Sequence, residues 1–133
     1  MSPARSQNLG VFLAGDSNSF HDQEAYLAMQ ACDFMCDLRN FVEPKRRCGD
    51  STTFTGFGNG EHEEEKGRID FIWLGPKQQV SSHESVQEAG ANLEVFEHLR
   101  RRVDGYAVLP NVYEDGIYSS DRCVTGDVHL YSG

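Results

Sequence analysis

The sequence predicts an α+β domain in which short strands outnumber helices. Apolar runs rich in β-branched and aromatic residues are short and bounded by turn formers, and helical spacing of apolar residues follows only the first of them. Polar, Gly-rich stretches separate these segments. A chain of 133 residues suits one domain with a modest core, so residues 1–133 are predicted to form a single domain.

The N-terminal part predicts a buried strand followed by a helix. Leu9–Ala14 is a short apolar run that ends at a cluster of turn formers, which is typical of a buried strand entering a loop. Asp22 can cap a following helix, and apolar residues from Ala25 keep helical spacing as far as Val42. Pro44 should end this helix, because the residue before a proline disfavours helical backbone.

The rest of the chain predicts mainly strands and loops. Arg68–Leu74 is the clearest strand, rich in β-branched and aromatic residues and stopped by Gly75-Pro76. The pattern between residues 93 and 103 fits a strand or a helix, and residues 61–66 and 111–120 read as loops. Further strands are predicted, in chain order, over residues 52–55, 106–109 and 123–131.

Composition and charge restrict the classes of function. With 38% hydrophobic and 25% charged residues, the chain has the composition of a globular protein. The formal net charge of −9 opposes binding to nucleic acid, so a small phosphate ester is the expected kind of anionic substrate. No apolar run approaches the roughly 20 residues of a membrane helix, and the first residues lack the apolar stretch of a secretory signal. An intracellular protein without a membrane span is therefore expected.

The four cysteines disfavour a zinc site. Cys32 and Cys36 are four residues apart and would share one face of the predicted helix, but Cys48 and Cys123 each stand alone. A zinc site needs a second pair at short spacing. Reduced, partly buried thiols are expected instead.

Three acids lie at or near the ends of predicted strands. Asp16 follows the first strand, Asp70 lies within the clearest strand, and Asp121 comes immediately before the last. If these strands are neighbours, the carboxylates meet at one sheet edge, where repulsion and desolvation require a cation between them. Such oxygen ligands suit Mg²⁺ or Mn²⁺, and Asn18 adds an amide oxygen two residues from Asp16. Taken alone, the Gly-Asp-Ser-Asn-Ser segment is also typical of a turn, and Asp121 is an ordinary acid in a loop. Asp70 differs, because an acid within an apolar strand needs a partner.

Three segments together resemble motifs of the endonuclease/exonuclease/phosphatase superfamily. Gly15-Asp16-Ser17-Asn18 resembles the family's Gly-Asp-Phe-Asn motif, and Ile69-Asp70-Phe71-Ile72 its Ile-Asp-Tyr/Phe-Ile strand. Ser120-Asp121-Arg122-Cys123-Val124 resembles its closing Ser-Asp-His-x-Pro-Val motif, and the resemblance extends from about Val11 to Leu130. It implies the C-terminal half of the family's domain: half of a four-layered α/β sandwich, with a mixed β-sheet and helices on one face.

The resemblance also implies a function and a set of residue roles. The family hydrolyses phosphodiesters or phosphomonoesters with a divalent metal, here Mg²⁺ or Mn²⁺. Asp16 would orient or deprotonate the attacking water and contact the metal, and Asn18 would help to fix the metal and the phosphate. Asp70 would orient a catalytic histidine, and Asp121 would be a metal ligand.

Two departures from the family pattern argue against full activity. The histidine expected after Asp121 is either deleted or replaced by Arg122, which stays protonated and so can contact the phosphate but cannot act as a general base. His21 is the nearer substitute, and His129 is expected to face elsewhere. The half of the family's domain that precedes its Gly-Asp-Phe-Asn motif is also missing.

Two functions are therefore expected from the sequence. The first is a metal-dependent phosphoesterase that is impaired or inactive alone; the second is a non-catalytic interaction or scaffold fragment. A half sandwich should expose an apolar sheet face, which predicts self-association or a partner chain.

Overall fold

The computed structural model describes residues 10–56, 66–88, 101–117 and 119–130. Within these ranges the α+β class is confirmed, with two α-helices, α1 (Glu24–Ala31) and α2 (His83–Glu88). None of the described helices is long and apolar enough to cross a membrane. The strands are β1 (Val11–Asp16), β2 (Cys36–Asp37), β3 (Arg47–Cys48), β4 (Asp70–Gly75), β5 (Val80–Ser82), β6 (Arg101–Val108), β7 (Val112–Tyr113), β8 (Gly116–Ile117) and β9 (Val124–Leu130). Short 3-10 helices lie at Leu38–Phe41, Pro44–Arg46 and Lys77–Gln79.

The first sheet is antiparallel and has the order β1-β4-β2. The β1–β4 register runs from Val11 opposite Gly75 to Asp16 opposite Asp70. Because side chains alternate along a strand, β4 contributes to two separate apolar clusters. Phe71 and Trp73 pack with Tyr26 of α1, and Leu74 enters the larger cluster on the other side.

The second sheet is mixed and is built on β6. The strands β3 and β5 pair in parallel with different parts of β6, whereas β9 pairs with it antiparallel along its length. A separate hairpin joins β7 and β8. The larger apolar cluster joins this sheet to the first; its buried members are Cys36, Leu38, Val42, Leu74, Val80, Val103, Tyr106 and Val108.

A buried ion pair connects α1, β2 and the start of β4. The two terminal nitrogens of Arg68 donate to the two carboxylate oxygens of Asp37 at 2.7 and 2.8 Å. The Tyr26 hydroxyl also donates to Asp37, at 2.7 Å. The Arg68 guanidinium lies 4.6 Å from the centre of the Phe71 ring, so cationic and apolar packing meet at this point.

The helix predicted from Asp22 to Val42 is wrong beyond its first turns. Gln23, rather than Asp22, is the N-cap, and α1 ends at Ala31. Residues 35–38 are buried consecutively because β2 pairs with β4 and Asp37 binds Arg68, which is incompatible with a helix that keeps one face in solvent. Cys32 and Cys36 therefore do not share a helix face, and Pro44 begins a 3-10 helix rather than ending an α-helix.

Other boundaries also differ from those predicted. Residues 52–55 form isolated bridges at Phe54 instead of a strand, and the predicted loop at 111–120 contains the β7–β8 hairpin. Asp70 is the first residue of β4, and Asp121 lies three residues before β9. Of the ambiguous segment, residues 101–103 are in a strand, and the remainder lies outside the described residues, as does most of the predicted loop at 61–66.

The first strand is exposed rather than buried. Every residue of β1 is exposed, including Val11 at 40%, Phe12 at 51% and Leu13 at 52%. Phe12 and Leu13 point to opposite sides of the sheet, because alternate residues of a strand do. Since β1 pairs with β4 alone among the described strands, its other edge is unpaired and both of its faces remain open to solvent.

Candidate metal centre

The structure brings the three predicted acids together. One carboxylate oxygen from each of Asp16, Asp70 and Asp121 lies within 4.8 Å of the other two. The β1–β4 register places Asp16 opposite Asp70, and Asp121 is held near them by its bridge to Phe54. Among the described His, Cys, Asp and Glu residues, these three are the ones close enough to share an ion.

Asp70 is the most perturbed of the three acids. Burial is the main cause that raises its pKa to about 7, and the neighbouring Asp121 and Asp16 carboxylates raise it further, while Thr53 acts in the opposite direction. Its Oδ2 atom is buried, and no donor in the described part of the chain reaches it. A buried carboxylate oxygen without a donor, beside two other carboxylates, is costly unless a proton or a cation offsets the negative charge.

Thr53 fixes the position of Asp70 and was not predicted as a site residue. Its side chain is fully buried, and its hydroxyl oxygen accepts the backbone N–H groups of Ile69 at 2.9 Å and Asp70 at 3.1 Å. Phe54 bridges both Gly67 and Asp121. The segment 52–55 therefore ties the strand that carries Asp70 to the loop that carries Asp121. The sequence signal was the β-forming Thr-Thr-Phe-Thr run inside a polar stretch.

A tight turn after β1 orients Asp16. The backbone N–H of Asn18 donates to the Asp16 Oδ1 atom at 2.7 Å, and the N–H of Ser17 donates to the Ile69 carbonyl at 2.8 Å. Asn18 has a φ of 51°, in the left-handed region that asparagine tolerates better than most residues. The turn therefore holds the Asp16 carboxylate at the acid cluster and leaves the Asn18 side chain at the surface.

Arg122 lines two cavities, one of which is also lined by Asp121. Its backbone N–H donates to the Thr53 carbonyl at 2.7 Å, and its guanidinium donates to the Thr52 carbonyl at 3.1 Å. One cavity, of about 330 Å³, also contains Lys66 and Asp50, and the other, of about 390 Å³, contains Asp121. The Nε atom of Arg122 is buried without a hydrogen-bond acceptor in the described ranges. Arg122 can therefore face a bound anion beside Asp121.

The described histidines lie outside this centre. His21 packs edge-on against Tyr26, with ring centroids 6.4 Å apart, and lines a cavity with Arg39 and Arg68. His129 lies opposite Arg102, near the end of β9 that is distant from Asp121.

Four free thiols are present, of which Cys36 is buried and the other three are exposed. Cys36 lies in β2, and its thiol donates to the Leu74 carbonyl at 3.4 Å. The expectation of partly buried thiols therefore holds for Cys36 alone among the four.

Solved structures share this fold. An endonuclease/exonuclease/phosphatase from Bacteroides vulgatus aligns with 93% of the chain at a TM-score of 0.64 and 19% identity. The chain has part of that fold. A mannosyl-6-phosphatase from Bacteroides thetaiotaomicron aligns with 96% of the chain (TM-score 0.63, 22% identity), and a functionally unknown conserved protein from Enterococcus faecalis with 92% (TM-score 0.60, 18% identity).

The likeness extends over a limited part of these proteins. The chain covers 38%, 37% and 40% of the Bacteroides vulgatus, Enterococcus faecalis and Bacteroides thetaiotaomicron structures, respectively. No family model and no curated protein matches the chain. The comparisons therefore identify the endonuclease/exonuclease/phosphatase fold as a partial one.

Proposed function

We propose that this chain is part of a metal-dependent phosphoesterase that binds Mg²⁺ or Mn²⁺ through Asp16, Asp70 and Asp121. The observation that carries the proposal is the convergence of three carboxylates within 4.8 Å around a buried oxygen that lacks a donor. Ligand atoms about 2.1 Å from one Mg²⁺ lie up to about 4.2 Å apart, so small adjustments bring these oxygens to one ion. Asn18, whose backbone N–H donates to Asp16, would add its side-chain amide oxygen.

The residues around the acids would neutralise charge, orient a water molecule and contact the phosphate. A bound divalent cation would neutralise the carboxylates and polarise a phosphoryl oxygen. Asp16, with Oδ1 held by the Asn18 N–H, keeps Oδ2 available to orient a water molecule. Asn18 donates its amide to the phosphate, and Arg122 offers positive charge to it from the cavity that contains Asp121.

Hydrolysis by this chain alone should be impaired or absent. Arg122 follows Asp121 where a histidine would serve as a proton shuttle, and a guanidinium stays protonated at accessible pH. Asp70 has no described histidine to orient, which leaves its carboxylate free to act as a ligand. The expected substrate is a small phosphate ester, because the net charge of −9 opposes capture of nucleic acid.

Metal titration tests this function. Isothermal titration of Mn²⁺ should show one saturable site, and Asp121→Ala should weaken it at least tenfold, because one of three carboxylate ligands is lost. Asp127→Ala removes an exposed acid from β9 and should leave the affinity unchanged. The absence of saturable binding to the unmodified chain, or equal affinities in the two variants, would count against the proposal.

A non-catalytic interaction fragment is the second candidate function. The exposure of β1 on both faces favours it, since an unpaired edge with large apolar side chains is a template for pairing with another strand. We propose that this strand contacts a second copy of the chain or a partner chain. Failure to bind metal would favour this function over hydrolysis.

A further inference from the structure

A cationic cavity lies apart from the three acids. It has a volume of about 200 Å³ and is lined by His21, Arg39, Ser51, Thr52, Gly67 and Arg68. The lining residues therefore include two arginines, a histidine and two residues with hydroxyl side chains, and none of them is acidic. This composition is opposite in sign to the net charge of the chain, which is −9.

The positive charge at this cavity exceeds what its neighbours neutralise. Arg68 is 6% exposed and uses both terminal nitrogens on Asp37, while its Nε atom is buried without an acceptor in the described residues. The Arg39 side chain makes no ion pair or hydrogen bond within the described part of the chain; its backbone N–H donates to Asp37. Asp37 therefore balances one of the two guanidinium charges.

The charges of Arg39 and Arg68 also act on a third arginine, Arg47. The Arg47 Nε donates to the Val42 carbonyl at 2.7 Å. Burial lowers the pKa of Arg47, and the positive charges of Arg39 and Arg68 lower it further. Arg39 and Arg68, which line the cavity, therefore also act on the Arg47 guanidinium, while Asp37 and Tyr106 oppose their effect.

The cavity adjoins the candidate metal centre through shared backbone. Thr52 lies beside Thr53, whose hydroxyl holds the Asp70 N–H. Gly67, on the same wall, donates its N–H to the carbonyl of Phe54, which in turn bridges Asp121. The segments that carry Thr52 and Gly67 therefore connect the cavity to the acids.

We propose that the cavity binds a phosphate group that is not the one cleaved. The guanidinium of Arg39, whose side chain is unpaired within the described residues, matches the geometry of phosphate oxygens, and the Ser51 and Thr52 hydroxyls can donate to the same group. The cavity is several times the share of liquid volume that one water occupies, about 30 Å³, so it has room for such a group. The existence of this site is independent of the proposed hydrolysis, whereas the assignment of the phosphate to the substrate rests on it.

Phosphate titration of the metal-free chain tests the site. In the presence of EDTA, inorganic phosphate should shift the backbone amide NMR signals of Ser51, Thr52 and Gly67 saturably. Arg39→Gln should weaken binding about tenfold, because a charge-assisted hydrogen bond is lost, and Arg39→Lys should weaken it less. Lys45→Gln removes a charge from an exposed side chain nearby in sequence and should leave the affinity unchanged.

Several outcomes would overturn the site. Shifts that do not saturate, or equal weakening by Arg39→Gln and Lys45→Gln, would show general electrostatic attraction. A dispersed amide spectrum of Arg39→Gln establishes that the variant folds, so that loss of binding reports on the site. Asp121→Ala should weaken metal binding at least tenfold and leave phosphate binding intact, which separates failure of this site from failure of the metal centre.

A second comparison identifies the source of the phosphate. With Mn²⁺ present, a hexose bisphosphate should bind at least tenfold more tightly than the monophosphate if both groups belong to one substrate, and Arg39→Gln should remove that difference. Equal binding of the two sugars, together with saturable inorganic phosphate, would assign the cavity to free phosphate and overturn its assignment to the substrate.

Discussion

Thr53 shows how one residue can position a site without facing it. Its hydroxyl accepts two consecutive backbone N–H groups, from Ile69 and Asp70, at the point where β4 begins. The bond from Ile69 is buried and the bond from Asp70 is partly buried, and the loss of such an acceptor is more harmful than the loss of an exposed hydrogen bond. The Asp70 carboxylate is therefore aligned through its backbone.

Substitutions of Thr53 should distinguish the contribution of its hydrogen bonds from the contribution of its side-chain volume. Thr53→Val keeps the shape of the side chain but removes the acceptor, so the free energy of unfolding should fall by about 1–3 kcal/mol. Mn²⁺ affinity should fall as well, because Asp70 loses its alignment. Thr53→Ser keeps the hydroxyl and should bind metal as the unmodified chain does. Urea unfolding and metal titration measure both quantities, and equal metal affinities for Val and Ser would refute the positioning role.

The cysteines should differ sharply in reactivity. Backbone N–H groups of Phe34 and Met35 lower the pKa of Cys32, which is exposed, whereas burial raises the pKa of Cys36 to about 11. The thiolate is the reactive form, and near pH 8 a thiol of pKa about 11 is ionised in about one molecule in a thousand. Iodoacetamide should therefore modify Cys32 at least about 100-fold faster than Cys36.

Peptide mapping of the alkylated protein over time measures these rates. Cys48 is exposed and serves as a reference for access. Denaturation should bring Cys36 to the rate of the other thiols. Rapid modification of Cys36 in the folded chain would contradict its buried position in β2.

At the scale of elements, the Asp37–Arg68 pair explains why the predicted helix stops early. Asp37 lies in β2 and Arg68 precedes β4, so their ion pair holds the chain against β4 just after α1. Tyr26 of α1 donates to the same carboxylate, and Asn40 donates to the Tyr26 hydroxyl at 3.3 Å. Local helical spacing in residues 32–42 is overridden by this buried contact.

Removal of one partner of this pair should strongly destabilise the chain. Asp37→Asn leaves Arg68 buried without its counter-charge, and the free energy of unfolding should fall by about 3–5 kcal/mol. The control is Glu43→Gln, whose partner Lys45 has a side chain that is 73% exposed, and the loss of stability there should be much smaller. Urea unfolding measures both, and similar losses in the two variants would contradict a structural role for the buried pair.

At the scale of the whole molecule, β1 is exposed along its whole length. It supplies Asp16 to the acid cluster and exposes Phe12 and Leu13 on opposite sides of the first sheet. The structures that share this fold are more than twice as long as the chain, whose coverage of them is 37–40%. A surface of this kind favours association with another strand.

Substitution in β1 should change the state of association more than it changes stability. Phe12→Ser should raise the dissociation constant of self-association at least about tenfold, because a large apolar contact is lost. Sedimentation velocity measures this as a shift toward the monomer. Leu130→Ser removes a side chain that is 62% exposed on β9 and should have little effect. A monomer for the unmodified chain at high concentration would argue against self-association and leave a different partner chain to be tested.

Much of the fold was predictable because its signals are local. The β4 strand was predicted within two residues at its start, since a β-branched and aromatic run stopped by Gly-Pro has few alternatives. The β6 strand was recognised only in its second half, because Arg101 and Arg102 are charged although the structure places them in the strand. The positions of the three acids along the chain were also predictable, because turn formers and strand ends locate them.

The sequence by itself determined the α+β class, the strand segments near residues 11–16, 70–75 and 124–130, and the three acids that accompany them. Only the tertiary structure decided that β1 is exposed, that the helix ends at Ala31, that Thr53 aligns Asp70, and that Arg39 and Arg68 share a cavity. The physical reason is that propensity and turn chemistry act within a few residues, whereas burial, hydrogen-bond partners and the sum of nearby charges depend on residues that are distant in sequence.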